Sequence, residues 1–155
     1  LDVLLLDLPP GTGDIAISMA QLLPNAELVL ISTPQHAAVD VAERAGTLSL
    51  QTGQKVVGVV ENMAAMTLPD GTVLDMFGSG GGQVLAARLS EALSCPVPLL
   101  GSVPLDVNLR TGGDEGMPVV WGRPDSATAE EIQSIASKLL HSGESRAGQS
   151  LPLFV

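Results

Sequence analysis

"LDVLLLDLPPGTGD" (residues 1–14) runs an almost unbroken apolar stretch into an acid, two prolines and two glycines. An apolar run of this length reads as a strand covered on both faces. Three more of the kind follow: "AELVLIST" (26–33), "KVVGVVEN" (55–62) and "PVPLLGSV" (96–103). Between them lie helical patterns at roughly 14–23, 37–52 and 82–94, the last with Val84, Leu85, Leu89 and Leu93 on one stripe. Strands that alternate with crossover helices build right-handed βαβ units. The expected fold is therefore α/β, with a doubly wound, mostly parallel sheet. A turn-rich stretch (104–125) leads to a last helix over 126–140, with Ser126 as its N-cap and Glu130 and Glu131 at the positive end of the helix dipole. From Ser142 the composition turns to Gly, Ser and charge without a period, so residues 1–141 read as one domain and 142–155 as a mobile tail.

Composition narrows the function. Seven Lys and Arg face 17 Asp and Glu, a net charge of -10 that repels a phosphate backbone. Trp121, Phe77 and Phe154 are the only aromatic residues, too few for a base-stacking platform, so no nucleic-acid partner is expected. No apolar stretch approaches the ~20 residues of a membrane-spanning helix, and no membrane partner is expected. A single cysteine, Cys95, makes no internal disulfide and reads as a small core residue. With no leader-like segment before the first run, a cytoplasmic location is expected. His36 and His141 stand apart from any ligand pattern and read as surface residues.

In an open parallel sheet ligands gather at the carboxyl ends of the strands, where Asp7 falls. An acid closing an apolar strand is the Walker B arrangement, in which a carboxylate orders the water shell of Mg²⁺ beside nucleotide phosphates. In "PPGTGD", Pro9 and Pro10 stiffen the loop while Gly11 and Gly13 let backbone amides approach a phosphate. The competing reading is an ordinary turn whose acid caps the next helix.

"DLPPGTGD" (7–14), "STPQ" (32–35), "VVENM" (59–63), "FGSGGG" (77–82), "PLLGSVPLD" (98–106) and "GDEGMPVV" (113–120) occur in an order that resembles the Mrp/ApbC family. These are deviant-Walker P-loop ATPases related to MinD and ParA, described as iron–sulfur cluster carriers. The resemblance covers Leu1 to about Leu140 and implies ATP and Mg²⁺ as cofactors, a homodimer, and an apoprotein or assembly factor as partner. It implies Asp7 as the catalytic acid that holds Mg²⁺ through water. Pro10, Gly11, Thr12 and Gly13 become a nucleotide-sensing switch segment, with Asp14 either a switch carboxylate or the cap of the next helix, the cap being favoured. Asn62 becomes the reader of the adenine ring, and Pro104, Leu105 and Asp106 the loop along adenine and ribose. Thr33, Pro34 and Gln35 fall on the same rim. The glycine run 78–82 is read as closing a hairpin insertion (64–77) onto the next helix.

Two departures from the family matter. No GxxxxGK[ST] loop is present, and neither Lys55 nor Lys138 follows a glycine-rich loop. The chain thus reads as the carboxyl-terminal portion of a longer ATPase, inactive by itself and prone to self-association where the absent strand would lie beside the one carrying Asp7. Many members also carry a Cys-x-x-Cys pair in the insertion, where Leu68, Pro69, Asp70 and Gly71 stand here. An iron–sulfur cluster is therefore doubtful on residues alone. The alternatives to a cluster-assembly ATPase are a MinD- or ParA-like protein that uses the nucleotide to recruit a partner, and a non-enzymatic interaction domain.

Overall fold

The computed structural model describes residues 3–9 and 13–142. The element order is α1 (Asp14–Leu22), β1 (Leu28–Ser32), α2 (His36–Thr47), α3 (Ser49–Thr52), β2 (Val56–Ala64), β3 (Met66–Thr67), β4 (Val73–Leu74), α4 (Gly81–Leu93), β5 (Leu99–Pro104), α5 (Val107–Glu115), α6 (Val119–Gly122) and α7 (Ala127–Ser142). Three parallel strands form the main sheet in the order β1-β2-β5, and β3 with β4 makes a separate antiparallel hairpin. Each crossover steps to the next strand in the same direction, and a constant right hand then places both connecting helices on one face. Val39 and Ala42 of α2 and Leu85, Ala86 and Leu89 of α4 accordingly share one core with Val56 and Val59 of β2. Ile135 of α7 closes the other face with Val60, Leu100 and Val103. The expected doubly wound α/β architecture is what forms.

The spacing of Val39, Ala42 and Gly46 puts one stripe of α2 against the sheet. Gly46 is the point of closest approach: a Cβ there would stand 2.6 Å from both Leu30 Cδ1 and Leu89 Cδ2. Ser126 caps α7 as expected, its hydroxyl accepting the Ala129 N–H at 3.2 Å. The stripe expected on α4 is half right, since Leu85 and Leu89 are fully buried while Val84 is 38% exposed.

The outer edge of β5 is covered by side chains instead of another strand. Glu131 Oε1 accepts the Ser102 N–H at 2.8 Å, and Lys138 Nζ donates to the Leu100 carbonyl at 2.6 Å. Residues seven apart lie on one face of a helix, so α7 reaches two groups of the edge at once and blocks further pairing there.

Four expectations are corrected. Residues 3–9 form no strand, and Val3, Leu4 and Leu5 are exposed, Leu5 at 82%. A strand exists only through a partner for its N–H and C=O groups, and among the described residues the sheet ends at β1. The stretch 104–125 is not simply turns, because α5 and α6 lie within it. Gly112 and Gly113 lower helix propensity there, yet the fold requires Gly112, whose Cβ would collide with the Met117 carbonyl where the chain reverses. Cys95 is exposed rather than in the core. It sits just past the left-handed cap Ser94 (φ 52°), in the turn that lifts the chain off α4. Asp14 is the first residue of α1, and Gly13 is its N-cap.

Candidate functional site

The carboxyl ends of β2 and β5 meet in register, Ala64 opposite Pro104, and the Leu105 N–H donates to the Ala64 carbonyl at 3.0 Å. Asn62 lies two residues before Ala64 on this rim and is half-buried. The structure thus joins the end of β2, two residues past Asn62, to Pro104 and Leu105, segments some forty residues apart. Asn62 Oδ1 accepts the Met63 N–H at 2.8 Å, and Met63 adopts a left-handed φ of 56°. That bond uses one lone pair of the amide oxygen and leaves the second lone pair and both Nδ2 donors for a ligand.

Asp106 is the N-cap of α5, accepting the Asn108 N–H at 2.7 Å and the Asn108 side chain at 3.0 Å. Its second oxygen accepts the hydroxyl of Thr128, a buried residue at the start of α7, at 2.7 Å. Burial alone pushes this carboxyl up, but the hydrogen bonds from Thr128 and Asn108 outweigh it, and the net position is below the ordinary value of 3.8. A carboxyl lowered in the folded state contributes stability that is fully present above its unfolded value and is lost as pH falls through the folded one. Denaturation midpoints followed from pH 5 downward are expected to fall less steeply for Asp106→Asn than for the parent. Parallel curves would remove Asp106 from the acid limb.

The carboxyl end of β2 also holds a residue to which the sequence assigned no role. Glu61 is 5% exposed, and its Oε2 accepts the Gly82 N–H at 2.7 Å. The carboxylate therefore satisfies a donor at the N-terminus of α4 and compensates its own burial. The glycines are there for space: a Cβ on Gly82 would stand 2.7 Å from Glu61 Cβ, and one on Gly81 would stand 2.5 Å from the Pro34 carbonyl oxygen. An acid inside a run of buried strand residues was the available signal, since a buried charge implies a partner. "STPQ", "ENM" and "GSGGG" converge at this point, where Thr33 also hydrogen-bonds to Gln35.

Asp7 is exposed, and no hydrogen bond or ion pair engages its carboxylate among the described residues. No strand pairing ties its segment to Asn62. Gly13 accepts the Ala16 N–H at 3.0 Å, which ordinary helix initiation explains. Pro10, Gly11 and Thr12 lie outside the described residues, as does the tail beyond Ser142. His36 and His141 are exposed. No group of three or more His, Cys, Asp or Glu able to hold a metal ion exists among the described residues. A cleft of about 210 Å³ lined by Asn108, Glu115 and Arg123 lies along α5 and α6, and Asn62 is not among its lining residues. No described helix is long and apolar enough to cross a membrane.

Comparison with known proteins places these features in a family. Residues 1–140 match the profile described as ParA: NUBPL iron-transfer P-loop NTPase. A protein of Mycobacterium bovis named iron-sulfur cluster carrier protein is 60% identical over 153 residues, 99% of this chain and 40% of the relative. One of the same name from Saccharolobus solfataricus is 37% identical over 94% of this chain and 48% of its own length. A nucleotide-binding protein of Archaeoglobus fulgidus, solved in complex with ADP, superposes with a TM-score of 0.59 at 34% identity, covering 85% of this chain and 48% of that one. The cell division ATPase MinD of Pyrococcus furiosus shares the fold, with a TM-score of 0.56 at 21% identity over 76% of this chain and 43% of its own. The chain spans less than half the length of each of these proteins.

Proposed function

The chain belongs to the ParA family of NUBPL-type iron-transfer P-loop NTPases, and on that premise we propose that it works as the carboxyl-terminal portion of an ATP-binding and ATP-hydrolysing protein of iron–sulfur cluster assembly or transfer. The observation that supports the proposal is the joining of Ala64, two residues past Asn62, to Pro104 and Leu105 at one end of the sheet. An asparagine amide pairs with adenine in two places, donating to N7 and accepting from the 6-amino group. Asn62 has both capacities to spare at a strand's carboxyl end. Asp106, fixed by Asn108 and Thr128, anchors the end of the loop whose Leu105 N–H is held by the Ala64 carbonyl.

Asp7 is the acid for the metal in this reading. Mg²⁺ keeps several of its waters, and when bound it neutralises charge on the β- and γ-phosphates. An exposed carboxylate with no partner among the described residues fits the holding of such a water. Pro10 to Gly13 would sense the phosphates through their amides, and the face-to-face homodimer and the cytoplasmic site of action belong to the same proposal. The remaining phosphate grip comes from a GxxxxGK[ST] loop that this chain does not contain.

The cluster is cargo in this scheme. The insertion carries "LPDG" and no cysteine, and Cys95 is the only thiol, so a cluster ligated through thiolates draws them from outside the insertion. That feature favours, as a second reading, a nucleotide-switched protein whose insertion serves partner binding.

The test is base recognition. In the full-length protein, Asn62→Leu is expected to weaken ATP binding by about 2 kcal/mol, roughly thirtyfold, and to erase discrimination between ATP and GTP. Titration with a fluorescent adenine nucleotide, competed by each triphosphate, measures both. Undiminished affinity and preference would overturn the assignment of Asn62.

A further inference from the structure

The hairpin of β3 and β4 stands outside the main sheet, and its two strands pair only with each other among the described residues. A two-stranded hairpin is marginal in water without something packed against it. Yet every residue from Pro69 to Met76 is exposed. Val73 is 60% exposed and Met76 62%, with Met63 at 41% where the chain leaves the sheet. Met66 lies opposite Leu74 in the ladder, on the face away from Val73 and Thr67, and Met76 follows two residues beyond Leu74. Three of the chain's five methionines thus fall within fourteen residues, on or beside one small apolar face.

The charges around this face have one sign. No Lys or Arg occurs between Lys55 and Arg88, and the exposed charges of that interval are Asp70 and Asp75. The flanking bases are already engaged, Lys55 with Glu27 at 3.4 Å and Arg88 with Asp40 and Glu43 at 2.9 and 3.1 Å. Asp70 accepts the Thr72 N–H at 2.9 Å across the turn, and this bond, with that of the Thr72 side chain, holds its carboxyl below the ordinary range and ionised. Flexible thioethers adapt to varied apolar surfaces, and acids beside them select cations.

We infer that the hairpin 63–76 is a docking face for a basic, amphipathic segment of a partner protein, with Met63, Met66, Leu74 and Met76 taking its apolar side and Asp70 and Asp75 its lysines or arginines. A second copy of this chain fits less well, because it would set the same two acids against each other in a molecule of net charge -10. The inference needs no nucleotide, and of the docking residues Met63 is the one that adjoins the proposed adenine reader Asn62.

The test uses the 155-residue chain and two labelled amphipathic helical peptides of equal length, one of leucine and lysine, the other of leucine and glutamate, with binding read by fluorescence anisotropy. The lysine peptide is expected to bind, with affinity falling as salt rises, and the glutamate peptide is not. Met63→Ser, Leu74→Ser and Met76→Ser combined should weaken binding by about tenfold or more. Asp70→Asn with Asp75→Asn should weaken it several-fold and flatten its salt dependence, whereas Asp114→Asn with Glu115→Gln should change it less than about twofold. With ¹³C-labelled methionine methyls, the peptide should shift Met63, Met66 and Met76 and leave Met19 and Met117 in place, a readout that is independent of the substitutions. Equal losses from the two acid pairs, shifts at Met117 alone, binding of the glutamate peptide, self-association that the serine substitutions abolish, or hairpin-dependent binding to neutral phosphatidylcholine vesicles would each overturn the inference.

Discussion

Asp7→Asn in the full-length protein is expected to lower ATP hydrolysis by about a hundredfold or more while the protein stays folded. Asparagine keeps the shape of the side chain and removes the charge, so the change isolates what the carboxylate does to a hydrated cation. Loss of one preorganised electrostatic contact at developing charge costs on the order of 10²–10³ in turnover, and a carboxylate at a metal-bound phosphate is such a contact. The structure makes the experiment clean, because Asp7 is exposed on a segment outside the sheet and no described hydrogen bond depends on it. Phosphate release at saturating ATP measures turnover. Affinity with and without Mg²⁺ should show that the metal-dependent part is what is lost. Turnover within about twofold of the parent would remove Asp7 from the mechanism.

Leu89→Ala is expected to cost about 3 kcal/mol of folding stability. Leu89 is fully buried where α4 meets α2 and β2, and its Cδ2 fills the space that a Cβ on Gly46 would need. Truncation there loses the transfer energy of the side chain and leaves a cavity that the close approach of α2, already at its limit at Gly46, cannot fill. Against a total of about 5–15 kcal/mol that is a large share, and it should lower the thermal midpoint by roughly 10 °C. Leu140→Ala, at a position 63% exposed, should stay within about 0.5 kcal/mol. Calorimetry of both variants decides the matter, and equal midpoints would mean that α4 does not hold the core as described.

Local chemistry was legible in the residues. Ser126 caps α7 because a hydroxyl reaching an N–H three residues on needs no distant partner. Of the apolar runs that became strands, β2 is buried on both sides by helices whose own stripes demanded a surface to cover, β5 is partly buried, and β1 is half-buried with Ile31 58% exposed. Within the candidate site, Asn62 and the 104–106 loop were named from motif order. That the end of β2 meets Pro104 is a property of parallel register, which only the fold fixes. Asp106 as the cap of α5 was readable in principle from its place ahead of "VNL", but the glycines behind it hid the helix.

What the sequence determined by itself was the α/β alternation, the family and the types of residue available for chemistry, because hydrophobic period and capping act over a few residues. What the tertiary structure alone decided was which apolar run becomes a strand, what Glu61 is for and which surfaces stay open. Residues 3–8 and 28–32 are similarly apolar, yet one is exposed and the other paired. Strand pairing and burial of charge belong to the neighbours a segment meets, and those neighbours come from elsewhere in the chain.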